Sequence, residues 1–183
     1  DVSDPTNPKK IGYFHTKDYV TSITLSNDET KAYLAAGTIG LDILNVIDPT
    51  NPKKIGSFNT AGYAEYIALS NDGTKAFVTD DDNGLIIIDI SDSANPKKIG
   101  SYKITNGAYN IALSSDETKA FVTDWEKGLV ILDVSDPENI KEIKRISMDG
   151  SAKNVTLSKD ETKAFVATER GVVIVDISAL KWL

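Results

Sequence analysis

A chain of 183 residues with 40% hydrophobic content can bury a sizeable core and is too apolar to be disordered. Its 27 acidic against 20 basic residues leave a formal charge of −7, which argues against nucleic acid or an anionic membrane surface as partner. The absence of cysteine excludes disulfides and thiolate metal sites, and no apolar run reaches the ~18 residues of a membrane-spanning helix.

The chain opens at Asp1, part-way through a repeat and without a leader pattern, and reads as a processed or excised piece. The hexapeptide Asn-Pro-Lys-Lys-Ile-Gly then appears at positions 7, 51 and 95, with a worn copy from Asn139, so the spacing is 44 residues throughout. A fixed period of this size signals a solenoid, a propeller or an array. Each repeat holds short apolar runs bounded by turn residues. In the second copy these are Ile55 to Phe58, Tyr66 to Ser70, Lys75 to Thr79 and Leu85 to Ile90. Runs of four to six residues rich in β-branched and aromatic side chains predict strands. Asn71-Asp72-Gly73 and Asn83-Gly84 supply the turns between them. Every proline lies in the connector before the next repeat, where no ladder N–H is lost. Residues 51–94 and 95–138 agree at 26 of 44 positions.

Four short strands per ~44 residues predict an all-β protein built as a β-propeller of four-stranded antiparallel blades. The motif Gly-[Leu/Val]-[Val/Ile]-Ile-X-Asp-[Ile/Val]-Ser at Gly84, Gly128 and Gly171 resembles the LVIVD repeat, and the resemblance extends over the whole chain. It departs in the first copy, where Asp42 stands in place of an aliphatic residue. The resemblance implies propellers in bacterial and archaeal proteins, many of them at the cell surface, and carries no catalytic residues. Extracellular or surface placement is implied by it alone.

We label the strands of a blade a (inner) to d (outer). The blades are expected at about 15–58, 59–103, 104–147 and 148–183, the last completed by a d strand from residues 7–14, in a single propeller domain or half-propeller. Sixteen strands follow, with no helix longer than one turn. Ile23, Leu25, Ile67, Leu69, Ile111, Leu113, Val155 and Leu157, with Phe77, Phe121 and Phe165, are the expected core. A ring could close as a four-bladed monomer, as two chains in an eight-bladed dimer, or within a longer array. The third strand is aliphatic without aromatics, which suits flat blades in a wide ring and favours self-association of two chains.

The a–b turn barely changes between copies, whereas the b–c and d–a connectors vary, and these two emerge on one face. Loops also drift where packing leaves them free. On that face Tyr19, Tyr63, Tyr109, Asp80, Asp82, Asp124, Trp125 and Glu169 are the candidate ligand-binding residues. Aromatics beside carboxylates suit a peptide, a glycan or a cation. Tyr66 reads as a packing residue between blades. No metal or cofactor is expected; Asp80 and Asp82 are the candidate ligands should Ca²⁺ bind, although the loop lacks the EF-hand spacing. His15, the single histidine, reads as a solvated loop residue without triad partners, and Asn154-Val155-Thr156 as a chance glycosylation match. Asp89, Asp133 and Asp176 read as structural caps. Together these readings predict a non-catalytic scaffold for protein or ligand binding. The alternative is a carboxylate-based, glycan-active hydrolase or lyase using Glu65 and Asp18 at the propeller mouth.

Overall fold

The computed structural model describes residues 6–182, with side chains described to residue 180. Among the described residues fifteen strands, where sixteen were expected, form four antiparallel sheets in chain order. The first sheet holds β1 (Ser22–Leu25), β2 (Lys31–Ala35), β3 (Leu41–Asn45) and β4 (Lys53–Phe58). The second holds β5 (Ala64–Leu69), β6 (Lys75–Asp80), β7 (Gly84–Asp89) and β8 (Lys97–Tyr102), and the third β9 (Ala108–Leu113), β10 (Lys119–Asp124), β11 (Gly128–Asp133) and β12 (Lys141–Ile146). The last has three strands: β13 (Ala152–Leu157), β14 (Lys163–Thr168) and β15 (Gly171–Asp176). Among the described residues the helical content is two 3₁₀ segments, Pro137–Asn139 and Ser178–Trp182; the second runs beyond the single turn expected.

Each hairpin is written into its a–b turn. Asp72 Oδ1 accepts bonds from Ser70 Oγ (2.6 Å), Thr74 N (2.9 Å) and Thr74 Oγ1 (2.8 Å), while Ser70 Oγ accepts from Lys75 N (2.9 Å). Asp28, Asp116 and Asp160 repeat the arrangement. These bonds favour the ionised carboxylate, and Asp28 and Asp72 are held down at about 2. The turn needs one left-handed residue, filled by Glu29, Gly73, Glu117 and Glu161 at φ of 55–69°. The invariance of this turn is therefore structural. Asp89, Asp133 and Asp176 likewise cap the c–d connector through Ser91, Ser135 and Ser178.

Neighbouring sheets pack face to face. Tyr33, Leu41 and Ile43 of the first meet Ile67, Ala76, Val78, Ile86 and Ile88 of the second. Phe77, Leu85 and Ile87 meet Ile111, Ala120, Val122 and Val130, and Phe121, Leu129 and Ile131 meet Val155, Ala164 and Val166. Strands β6, β7, β10 and β11 are covered on both faces, which is why they are continuous apolar runs. The repeated hexapeptide is explained by a close backbone approach. A Cβ on Gly56 would lie 1.8 Å from the Ser93 carbonyl oxygen of the next sheet, and one on Gly100 2.0 Å from that of Pro137.

Three expectations are corrected. The stack is open, so Ile23 and Leu25 are exposed rather than core, because among the described residues no sheet precedes β1 to cover them. Phe165, whose equivalents Phe77 and Phe121 are buried, is only half-buried for the same reason at the other end. Residues 10–14 do not complete the last sheet. Within this chain they lie against the first one, where Phe14 packs on Ala32, Leu34 and Leu44, and the last sheet has three strands among the described residues.

Candidate functional site

The b–c and d–a connectors meet along one rim of the stack. There the bridge between Gly37 and Ala64 (Ala64 N to Gly37 O, 3.0 Å) ties the first sheet to the second. Asp81 N donates to Tyr63 O (2.9 Å) and Trp125 N to Gly107 O (3.0 Å), fixing each b–c turn against the d–a connector of its own sheet.

The candidate residues separate into two sets on this rim. Asp80 and Asp124 close β6 and β10 and are fully buried, with their carboxylates turned inward. Asp80 Oδ1 accepts from Asp82 N (3.0 Å), Asn83 N (2.8 Å) and Asn83 Nδ2 (3.1 Å). Asp124 Oδ1 accepts from Glu126 N and Lys127 N, and its Oδ2 pairs with Arg145 at 2.6 Å. Both therefore hold their turns, and neither presents its carboxylate to the rim. Asp82, by contrast, is exposed, so Asp80 and Asp82 do not converge on one rim site. Among the described residues no group of three or more His, Asp or Glu is arranged to hold a metal ion.

The second set faces outward. Tyr109 stacks on Trp125 with ring centroids 4.7 Å apart and planes 29° apart. Lys153 Nζ lies 5.2 Å from the Trp125 ring and 3.6 Å from Glu169 Oε1. Beside this pair, Glu65 is half-buried; burial pushes its carboxyl up, and Asp81 and Asp80 push it further. Burial also raises Asp81, assisted by Asp82 and Asp80. The Tyr109 hydroxyl is raised by burial and then by Asp81 and Glu65, which places all three in one field. Tyr63 is raised by burial and by Asp18 and Glu65. Asp18 itself is held low by its bonds from Thr38, whose amide donates at 2.9 Å and whose hydroxyl donates to the same oxygen. Tyr19 projects into solvent at the margin, and His15 bonds only the Tyr13 hydroxyl at 3.2 Å.

Sequence reading named the aromatic members and Glu65, but left Asp81 out of the binding set and included the buried Asp80 and Asp124. The signal was available. An Asp at the last position of strand b, followed two or three residues on by the turn, is placed to bond turn N–H groups. The next residue is the one left free.

The repeat motif and this geometry agree with family comparison. The model of the LVIVD repeat matches four times, over residues 22–60, 61–104, 108–147 and 149–180. The chain belongs to the LVIVD repeat family. No functionally curated protein matches the sequence. Among solved structures, the chain is similar to the periplasmic gluconolactonase of Pseudomonas aeruginosa, at 15% identity and a TM-score of 0.71, covering 90% of this chain and 55% of that one. It is similar to a functionally unknown protein from Desulfotomaculum acetoxidans (19% identity, TM-score 0.73, covering 91% and 54%). It also resembles Kuenenia stuttgartiensis hydrazine synthase, at 19% identity and a TM-score of 0.73, covering 92% and 50%. This LVIVD repeat chain thus spans about half the length of the solved chains it matches, and these likenesses carry the propeller-type fold.

Proposed function

We propose that this LVIVD repeat chain is a non-catalytic binding scaffold whose ligand is a cationic peptide segment held on the rim of the second and third sheets. The observation that carries the reading is the field around Tyr109. Glu65 and Asp81 are raised carboxyls without a basic partner among the described contacts, beside an aromatic pair already approached by an ammonium group, that of Lys153. A cation entering there would relieve the repulsion between the two carboxylates and gain the ring faces. The net charge of −7 would attract such a ligand from a distance. Titration calorimetry against Lys- and Arg-containing peptides should give binding that weakens with salt. Trp125→Ala should weaken it about tenfold, the effect of losing ~1.4 kcal/mol. Equal binding by the Glu65→Gln, Asp81→Asn double variant would rule the site out.

A second reading is a hydrolase acting at the same rim, supported by the raised carboxyl of Glu65, which suits a general acid. Of the two acids the sequence offered, Glu65 has its carboxyl raised by burial and by Asp81 and Asp80, while Asp18 is engaged by Thr38. Hydrolysis of lactones or glycosides lost in Glu65→Gln, with peptide binding absent, would favour this reading over the scaffold.

A further inference from the structure

The four repeats control for one another, because the same position can be followed through all of them. Ile23 is 63% exposed, whereas its equivalents Ile67, Ile111 and Val155 are 2%, 4% and 4% exposed. At the opposite end Val172 and Ile174 are 67% and 61% exposed, whereas Leu129 and Ile131 at the same places are 0% and 1%. The first sheet therefore carries a receiving face covered among the described residues by Phe14 at its outer end while Ile23 stays open, and the last sheet a donating face that no described residue covers.

The N-terminal segment shows what belongs between them. A Cβ on Gly12 would fall 1.7 Å from the Pro49 carbonyl oxygen, the same contact that Gly56 makes to Ser93 and Gly100 to Pro137. Phe14 packs on the first sheet as Phe58 packs on the second and Tyr102 on the third. Residues 10–14 thus already sit where the d strand of a preceding sheet would sit. The a, b and c strands of that sheet are missing beside them, and a groove of about 450 Å³ opens there, lined by Ile11, Tyr13, Val20, Ile23, Leu34 and Leu44. The last sheet lacks the complementary part: among the described residues no strand pairs with the outer edge of β15.

A third element points the same way. Glu117 Oε1 accepts from the Asn71 amide of the preceding sheet, and Glu161 Oε1 from that of Ser115 at 2.5 Å. Glu29 holds the same left-handed conformation at φ 56°, but no sheet precedes it to offer the amide. The equivalent donor is Lys159 N of the last sheet.

We propose that a second copy of this chain supplies both missing halves, so that two chains close head to tail about a two-fold axis into one eight-bladed ring. Each copy lends its residues 9–14 to β15 of the other. The register follows from β7 with β8, where Leu85 faces Tyr102, Ile86 Ser101, Ile87 Gly100 and Asp89 Lys97. Transferred, Val172 faces Phe14 of the second copy, Val173 faces Tyr13, Ile174 faces Gly12 and Asp176 faces Lys9. The donating face of Phe165, Val172 and Ile174 then enters the groove over Ile23 and Leu34. Both faces are open in a stack that superposes on about half of longer propeller-type chains. Two such stacks would make the circle, pairing the open edge of β15 and covering both exposed faces, with the short outer edges of the blades left.

Light scattering of the 183-residue chain at micromolar concentration should give twice the 19.8 kDa chain mass. Ile23→Lys and Ile174→Lys, both at exposed positions, should each give a folded 19.8 kDa species with an unchanged β-sheet circular dichroism spectrum. The 183-residue sequence has no cysteine, so the double variant Tyr13→Cys, Val173→Cys reports the register directly. Oxidation should yield a covalent dimer on a non-reducing gel. A bridge formed within one chain, no bridge at all, a monomeric parent protein, or an open ladder of higher oligomers would each overturn the proposal.

Discussion

The two inner sheets and the two outer ones are built from nearly the same residues and have different surroundings. Strand β11 (Gly-Leu-Val-Ile-Leu-Asp) is buried at every position but its last, whereas β15 (Gly-Val-Val-Ile-Val-Asp) is exposed or half-buried at every position. Composition is not the cause, since both are aliphatic runs. The difference is the presence or absence of a neighbour. In a repeat protein the burial of a residue is thus set by its place in the series as much as by its type.

Substitutions that separate place from type test this. The largest effect is expected at the aromatic knob of strand b. Phe121→Ala should cost about 3–5 kcal/mol in denaturant unfolding, as for a fully enclosed side chain, and Phe165→Ala under about 2 kcal/mol in the Ile23→Lys monomer. Equal losses would show that the end sheets are covered in that monomer. Next comes the hexapeptide glycine. Gly100→Ala should cost about 1–3 kcal/mol, because the Pro137 carbonyl cannot withdraw without moving the third sheet. Gly12→Ala should leave the stability of that monomer unchanged, because residues 10–14 are held at one face alone and can lift off.

A smaller contrast concerns the left-handed turn residue. In the same monomer, Glu29→Gly should raise stability by about 0.5–1 kcal/mol by relieving the positive φ. Glu117→Gly should gain less, because it also gives up the bond to the Asn71 amide. The smallest contrast is in acid. Asp28 and Asp72 have folded values near 2, below the unfolded value, so their contribution is present above ~3.9 and is lost as pH falls toward 2. Because the turn is local, both should titrate alike by NMR although one lies in an end sheet and the other in an inner one. Glu65 and Asp81 have the opposite sign: their folded values are raised, so lowering the pH through them favours the folded state. A cationic ligand should bring both back down.

The period, the strands and the turns were legible because each is fixed by local chemistry: Asn-Pro connectors, Ser-X-Asp turns, and apolar runs of strand length. The open ends were not. Ile23 and Ile67 look identical in a sequence, and nothing near Ile23 records that its partner sheet is lacking. The candidate site was half legible for a related reason. A carboxylate at the end of strand b reads the same whether it faces solvent or its own turn. The inward orientation of Asp80 and Asp124 follows from the amides that the turn leaves without partners. The raised carboxyls of Glu65 and Asp81 follow from burial and from the neighbouring carboxylates of Asp80, Asp81 and Asp82, and the fold alone brings β5 beside that turn.

The side-chain amides of the a–b turns run from sheet to sheet: Asn27 Nδ2 donates to Asn71 O at 2.7 Å, and Asn71 Nδ2 to Ser115 O at 3.3 Å. Together with the glycine–carbonyl contacts, they make the boundary between sheets, rather than the sheet itself, the cooperative unit. Hydrogen exchange should therefore not divide the chain into four equal blocks. In the monomer, protection should decay inward from both ends, with the slowest amides on β6, β7, β10 and β11, the strands with a boundary on either side.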